Sequence, residues 1–383
     1  MDGFMTIVFT APRYHTNQHY WVKTLQDAGH RVEFLVLSRQ GLEVTSRLEP
    51  QELPLSRLYC LLRRLLPWLN DKKHGWSPAR RVRRALAELQ PDVVIIRDPA
   101  LPMSLAAIRA ARRLGLPIVL YTQRPQHQLP GDWKLRILMR LQRRAGRPGI
   151  APMITPVRGE VDAPHYIPPG WEYLPFVMEP DPAPDYRTRK WCPEGVRRVV
   201  MVAKYLPRKN HLLLVQALEE LSSRYPVRLE IIGGHDTPEY QQVFAQVRDY
   251  ISERGLDWVT QTEPMPYAQL QQRLHHYDLY VLPSRNEAVG VSLLEAMGKG
   301  LPVVCSTTAG ARNYVEHGGN GRIFASDSLA DLTEQLHAIL QDPAQLPRMG
   351  ARSLQLVETA FSPQSFLDRF RHIIHGEPIA TRG

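Results

Sequence analysis

Two carboxylates, Glu287 and Glu295, stand in the run PSRNEAVGVSLLEAMGKGLPVV, Pro283–Val304. A short apolar strand ends at Pro283, a polar loop brings Glu287 forward, and a helix is predicted to start around Val289–Val291 with Glu295 in its first turns. Gly290 has no side chain to block approach. Unclaimed amides and the positive end of a helix dipole would face the carboxyl edge of a sheet there, which suits a phosphate. Ligands of open α/β sheets bind at that edge. The two carboxylates would flank the phosphate and accept hydrogen bonds from hydroxyl-rich groups on either side, as a nucleotide-sugar offers on its sugar and its ribose. Isolated acids at a helix start are also ordinary partners of the dipole. The surrounding residues therefore have to decide between the two readings.

Those surroundings resemble the retaining GT-B glycosyltransferases grouped around the glycosyltransferase group 1 domain, also called family 4. The spacing Glu287 to Glu295 is similar to their E-x7-E motif. VAKYLPRKNHLLLVQAL (Val202–Leu218) resembles the segment that carries their phosphate-binding arginine and lysine, LEIIGG (Leu229–Gly234) their glycine-rich turn, and YDLYVLPS (Tyr277–Ser284) the strand before the motif. The resemblance implies that Lys204 and Lys209 contact the donor diphosphate, that Glu287 meets donor-sugar hydroxyls and that Glu295 meets the ribose. It also places Val289, Gly290, Val291, Gly233 and Asn286 among the donor-binding positions. Lysine replaces arginine at 204, keeping the charge but not the bidentate fork. Glu287, Lys209 and Lys204 are the residues expected to act on the reacting centre, by charge rather than as covalent nucleophiles. Two carboxylates flanking a bond could also hydrolyse a glycoside; the resemblance assigns them to binding instead. Retention would follow from front-face attack, with the departing phosphate taking the acceptor proton.

The first half departs from the family. Paired glycines are common after the first strand; here the loop is APRYHTNQHYW, Ala11–Trp21, with Thr16 and Asn17 in their place. Either residue can cap the next helix; either can instead complete a phosphate and acceptor loop. After the strand PIVLY the family often has a histidine, whereas YTQRPQH offers Gln123, which can hydrogen-bond but cannot act as an acid or base. His15 or His127 would substitute only if the fold brought one of them close.

The elements that must hold these residues alternate strand and helix throughout, as in parallel α/β architecture. Met5–Thr10 reads as a strand, Asn17–Ala28 as a helix ended by Gly29, and Arg31–Leu37 as the next strand. Asp92–Ile96, a helix near Leu101–Arg113 and Pro117–Tyr121 repeat the scheme. A second series has strands Arg197–Ala203, Val227–Gly233, Asp278–Pro283 and Leu301–Val304. The expected fold is α/β of GT-B type: two Rossmann-like domains with parallel sheets facing across a cleft and a C-terminal helix crossing back. The expected boundaries are 1–180 for an acceptor-side domain, 181–196 for a proline-punctuated linker, 197–360 for a nucleotide-sugar domain and 361–383 for the crossover helix.

At 383 residues the chain exceeds what one core supports. Hydrophobic residues make up 43% and charged residues 22%, an ordinary globular balance. No apolar stretch reaches the ~20 residues of a membrane span, and no signal peptide is read at the start, so a cytoplasmic location is expected. The three cysteines, Cys60, Cys192 and Cys305, have no metal-ligand spacing. No Asp-x-Asp follows a strand, so neither a metal nor another cofactor is expected. The net charge of +10 is uneven: residues 1–180 hold 26 Lys and Arg against 15 Asp and Glu, and residues 181–383 hold 22 against 23. An anionic partner is therefore expected at the first half. Helical patterns at Pro78–Leu89 and Trp133–Arg147 are arginine-rich, and YCLLRRLLPWL, Tyr59–Leu69, adds an apolar-basic segment. Each can be a solvated face packed on the core, or a peripheral contact with an anionic membrane. An anionic glycolipid or glycan acceptor, such as lipopolysaccharide core, would account for this charge.

Three rivals are weaker. A nucleic-acid-binding protein would explain the pI of 9.6, but no recognition motif is present, and nucleic acid is not expected as a partner. A nicotinamide oxidoreductase lacks G-x-G-x-x-G after either first strand. A nucleotide-sugar epimerase of the same fold remains an alternative; it would turn over donor without acceptor.

Overall fold

The structure is a computed structural model that describes residues 3–14, 18–39, 48–70, 74–123, 150–157, 167 and 171–376. The described residues of Met1–Pro156, Ile167–Val177 and Pro363–Gly383 form one compact unit; those of Val157–Tyr166 and Met178–Ser362 form the other.

In the first unit the strands are β1 (Thr6–Thr10), β2 (Arg31–Val36), β3 (Gln51–Glu52), β4 (Val93–Arg97), β5 (Ile118–Tyr121), β6 (Ile150–Thr155) and β7 (Trp171–Tyr173). They make one parallel sheet in the order β3-β2-β1-β4-β5-β6-β7. Every residue of β1 is buried, as it must be when helices cover both faces of a parallel sheet. Helices α1 (His19–Asp27), α3 (Ala79–Leu89) and α4 (Pro102–Arg113) bury side chains in this unit, and α2 (Arg57–Leu65) buries only Tyr59. α3 realises the first arginine-rich pattern: Val82, Ala85 and Leu86 are buried while Arg80, Arg81, Arg83 and Arg84 are exposed.

Trp21 on α1 is the hub of this core. Its indole packs against Tyr121 at 4.9 Å, Phe176 at 5.4 Å and Phe366 at 5.6 Å, and donates to the carbonyl of Pro175 at 2.8 Å. Phe366 belongs to the last helix of the chain, Pro363–His375, which is why that helix is part of the first unit rather than the second.

The second unit has β8 (Arg197–Val202), α5 (His211–Ser222), β9 (Val227–Ile232), α6 (Pro238–Arg254), β10 (Val259–Thr262), α7 (Tyr267–Leu274), β11 (Leu279–Leu282), α8 (Val291–Gly298), β12 (Val303–Ser306), β13 (Gly321–Phe324), α9 (Leu329–Leu340) and α10 (Gln345–Ala360). Its parallel sheet runs β10-β9-β8-β11-β12-β13. Strand order therefore reverses between β8 and β11, a position at whose carboxyl ends ligands of open parallel sheets bind.

The stretch 181–196, expected as a linker, packs on this unit. The amide of Asp181 donates to the carbonyl of Gly298 at 2.8 Å, and the Tyr186 hydroxyl donates to the carbonyl of Gly300 at 3.0 Å. Arg189 stacks on Trp191 at 3.9 Å and pairs with the buried Asp278, which also accepts from Arg198 at 2.8 Å. Prolines removed helix and strand signals from the stretch, but its side chains found partners across the sheet edge.

Candidate functional site

The site grows from three loops at the carboxyl edge of the second sheet, those after β8, β11 and β9. β8 ends at Val202, and Lys204 follows, exposed. A single helical turn, Pro207–Lys209, then closes on Asn210, whose φ of 55° is the left-handed conformation that asparagine tolerates better than most residues. This turn swings Lys209 inward, where it is buried, and leaves Arg208 half-exposed beside it. The next residue, His211, is buried against Tyr205 at 4.4 Å; burial pulls its pKa down to about 4, so it is neutral at pH 7.

The second loop follows β11. The amide of Arg285 donates to the carbonyl of Arg208 at 2.8 Å, which ties the two loops together. The Asn286 amide donates to the hydroxyl of Thr308 at 3.1 Å. Glu287 is buried, accepts from Arg208 at 2.5 Å and forms an ion pair with Lys209. Burial would push its pKa up, but the Lys209 ammonium and Arg208 guanidinium together outweigh it and hold the carboxyl below its ordinary range. Gly290 then turns the chain at φ 86°; a Cβ there would stand 2.6 Å from Leu282 Cδ2, so only glycine fits. α8 starts immediately afterwards, and no side chain caps it. Val289 is 3% exposed and Val291 half-buried, so what they offer a ligand is backbone amide rather than side chain.

At the second residue of α8, the Ser292 hydroxyl donates to the carbonyl of Val202 at 3.3 Å and accepts from Tyr280 at 2.6 Å. The helix start is thereby pinned to the end of β8. Glu295 sits one turn further on, buried, accepting from the Tyr267 hydroxyl at 3.1 Å. Burial raises its pKa to about 7, against the Tyr267 hydrogen bond and the Lys299 charge, which lower it.

The third loop follows β9. Here Gly233 is required by space, since a Cβ would fall 1.8 Å from the carbonyl oxygen of Ala203. Gly233 and Lys204 line one cavity of about 670 Å³ with Val202, His235, Glu263 and Leu270. Val202 borders this cavity and also holds Ser292 of α8. The cavity offers a floor of backbone and one exposed lysine, and the α8 N-terminus and the buried Lys209–Arg208–Glu287 cluster stand on the neighbouring loops rather than in its lining. Chemically it can hold an anion and bind hydroxyls with carboxylates.

In the first unit, Gln123 lies after β5, buried, accepting from Arg97 Nη2 at 2.9 Å and donating to the Tyr121 hydroxyl. Arg97 in turn lies 3.4 Å from Asp98. Thr16, Asn17, His15, His127 and the arginine-rich pattern Trp133–Arg147 lie outside the described residues.

Two charged residues escaped the sequence reading. Arg208 was passed over because family spacing selects Lys204 and Lys209; the signal was two adjacent cations in PRKN. Arg97 was passed over as the end of an apolar run; the signal was a cation at the carboxyl end of a parallel strand.

Comparison with known proteins places names beside this geometry. Residues 185–355 match the family model "Glycosyl transferases group 1", and residues 18–150 match "Glycosyltransferase Family 4". A D-inositol 3-phosphate glycosyltransferase of Nocardia farcinica is 30% identical over 192 residues, 49% of this chain and 42% of the relative. A GDP-mannose-dependent alpha-(1-6)-phosphatidylinositol monomannoside mannosyltransferase of Mycolicibacterium smegmatis is 30% identical over 195 residues, 48% of this chain and 49% of the relative. The chain thus spans half or less of the length of these two relatives. Among solved structures, Anabaena Alr3699/HepE in complex with UDP and glucose superposes with a TM-score of 0.71 at 15% identity, covering 96% of this chain and 98% of the other. The chain is a GT-B fold protein that carries the group 1 glycosyl transferase match on its second half and the family 4 match on its first.

Proposed function

We propose that the protein is a retaining glycosyltransferase that moves a sugar from a nucleotide-sugar to an anionic, lipid-linked acceptor. The single observation that carries the reading is the carboxyl edge of the second sheet: Lys204 and Gly233 on one cavity, an uncapped helix start pinned to Val202 on its lining, and the cluster Lys209–Arg208–Glu287 on the loops beside it. A diphosphate placed there meets amides and three cations, which stabilise charge developing on the leaving group. In the proposed step the acceptor oxygen bonds to the anomeric carbon as the bond to the phosphate oxygen breaks, on the same face. The acceptor proton passes to the departing diphosphate. Glu287, held ionised by Lys209 and Arg208, accepts hydrogen bonds from sugar hydroxyls, and Glu295 binds the ribose. No metal is needed in this scheme, because the three cations meet the diphosphate charge.

The acceptor class is supported by the names of the two relatives, both of which act on phosphate-bearing inositol compounds, and by the positive charge of residues 1–180. The decisive experiment combines a thermal-shift screen of UDP-, GDP-, ADP- and CMP-sugars with product analysis on phosphoglycolipid acceptors. Stabilisation by one donor and a product with the donor's anomeric configuration are expected. An inverted anomer would remove the front-face step. Donor interconversion without any acceptor would replace transfer by epimerisation.

A further inference from the structure

Among the described residues seven large hydrophobic side chains are strongly exposed, and five of them fall within eleven positions: Leu58, Leu61, Leu65, Leu66 and Trp68. Helical geometry explains the clustering. At 100° per residue, Leu58, Leu61 and Leu65 lie within about 60° of one another on α2, one above the next. The helix is therefore inverted relative to an ordinary surface helix: among its residues only Tyr59 is fully buried, donating its hydroxyl to the carbonyl of Leu69 at 2.8 Å. The leucines point outward at 57%, 56% and 69% exposure. Trp68, 63% exposed, extends the face beyond the helix, its ring edge-on to His74 at 5.5 Å.

The charges that this segment itself carries are all of one sign. Arg57 and Arg64 project about 80° from the centre of the leucine stripe, along one flank, and both are exposed. Arg63 lies on the far side, 6.0 Å from the Tyr59 ring. No aspartate or glutamate occurs from Leu53 to Asn70.

We infer that α2 and Trp68 form a docking surface for an anionic lipid bilayer, the leucines and the indole entering the acyl boundary while Arg57 and Arg64 meet phosphate headgroups. The combination of a narrow apolar stripe, a basic flank and an interfacial tryptophan fits a helix lying in the plane of a membrane. A second copy of the chain is a poorer occupant. A twofold interface would bring the patch onto itself and set Arg57 and Arg64 near their own counterparts with no acid to offset them. The inference concerns a lipid surface and is independent of the transfer reading; it is tested without donor or acceptor, so either can fail alone.

The experiment is flotation of the full-length protein with vesicles of neutral phosphatidylcholine alone and with about 30% phosphatidylglycerol added, at low and high salt. Wild type is expected to float with the anionic vesicles, and less at high salt. The double variant Leu61→Glu, Leu65→Glu is expected to lose binding at least tenfold with an unchanged melting temperature, since both side chains are exposed. Arg57→Gln with Arg64→Gln should keep residual binding but lose its salt dependence. Quenching of tryptophan emission by brominated lipid should fall in Trp68→Phe. Absence of wild-type flotation, flotation untouched by the glutamates, or a concentration-dependent dimer that the glutamates abolish in protein that does not bind vesicles would each overturn the inference.

Discussion

At the residue scale the two carboxylates differ in charge state although both are buried. Glu287 has two cations and stays ionised; Glu295 has one tyrosine hydroxyl and a more remote lysine, and burial lifts its pKa to about 7. Because the folded pKa of Glu295 lies above its ordinary value of 4.5, its contribution to stability is full below about pH 4.5 and is lost as pH rises through about 7. The loss is on the order of 3 kcal/mol. Glu295→Gln should therefore flatten the fall in stability between those pH values, read by chemical denaturation across pH, and Glu295→Ala should weaken donor binding about tenfold or more. Glu287 has the opposite sign: its stabilisation is present above the ordinary carboxylate pKa and disappears as pH drops through its lowered value. Glu287→Gln leaves the buried Lys209 ammonium without its counter-charge and is expected to cost about 3 kcal/mol. Lys209→Ala should reduce turnover more than it raises the donor KM, if the ammonium stabilises the leaving group. The motif spacing indicated Glu287 and Lys209 as partners of a ligand, but not of each other. Their pairing depends on the turn at Asn210, which local sequence signals only weakly.

At the element scale the site depends on how α8 begins. Glycine at 290 satisfies two demands at once, a left-handed φ and the space left by Leu282. Gly290→Ala is expected to destabilise the second unit by about 2 kcal/mol and to displace the amides that follow, weakening nucleotide binding beyond the stability loss. Thermal unfolding with and without nucleotide separates the two effects. The strands were legible because buried parallel strands read as continuous apolar runs: Arg197–Ala203 and Val227–Gly233 in the sequence correspond to β8 and β9 with ends shifted by one residue. α8 starts at Val291, at the end of the window predicted for it. Proline density in 181–196 signals a loop whether the loop is free or strapped down, and the strap is built from Arg189–Asp278, a contact 89 positions apart.

At the scale of the whole molecule the positive charge concentrated in residues 1–180 should act at long range and the donor site at short range. Raising salt from about 50 to 500 mM is therefore expected to weaken association with anionic vesicles severalfold while leaving nucleotide-sugar affinity within about twofold, measured by flotation and by calorimetry on the same preparation. A donor present at a hundred times its dissociation constant should stabilise the protein by about 2.7 kcal/mol. The sequence by itself determined the alternation of strands and helices, the order of motifs along the second half and the sign of the charge on the first, because hydrophobic periodicity and residue type are local properties of a chain. Only the tertiary structure decided that the final helix, expected to cross back, packs Phe366 on Trp21, that Arg208 shares Glu287 with Lys209, and that the leucines of α2 face outward. Each of these depends on which distant surfaces meet, and periodicity marks an apolar stripe without saying whether the fold will cover it.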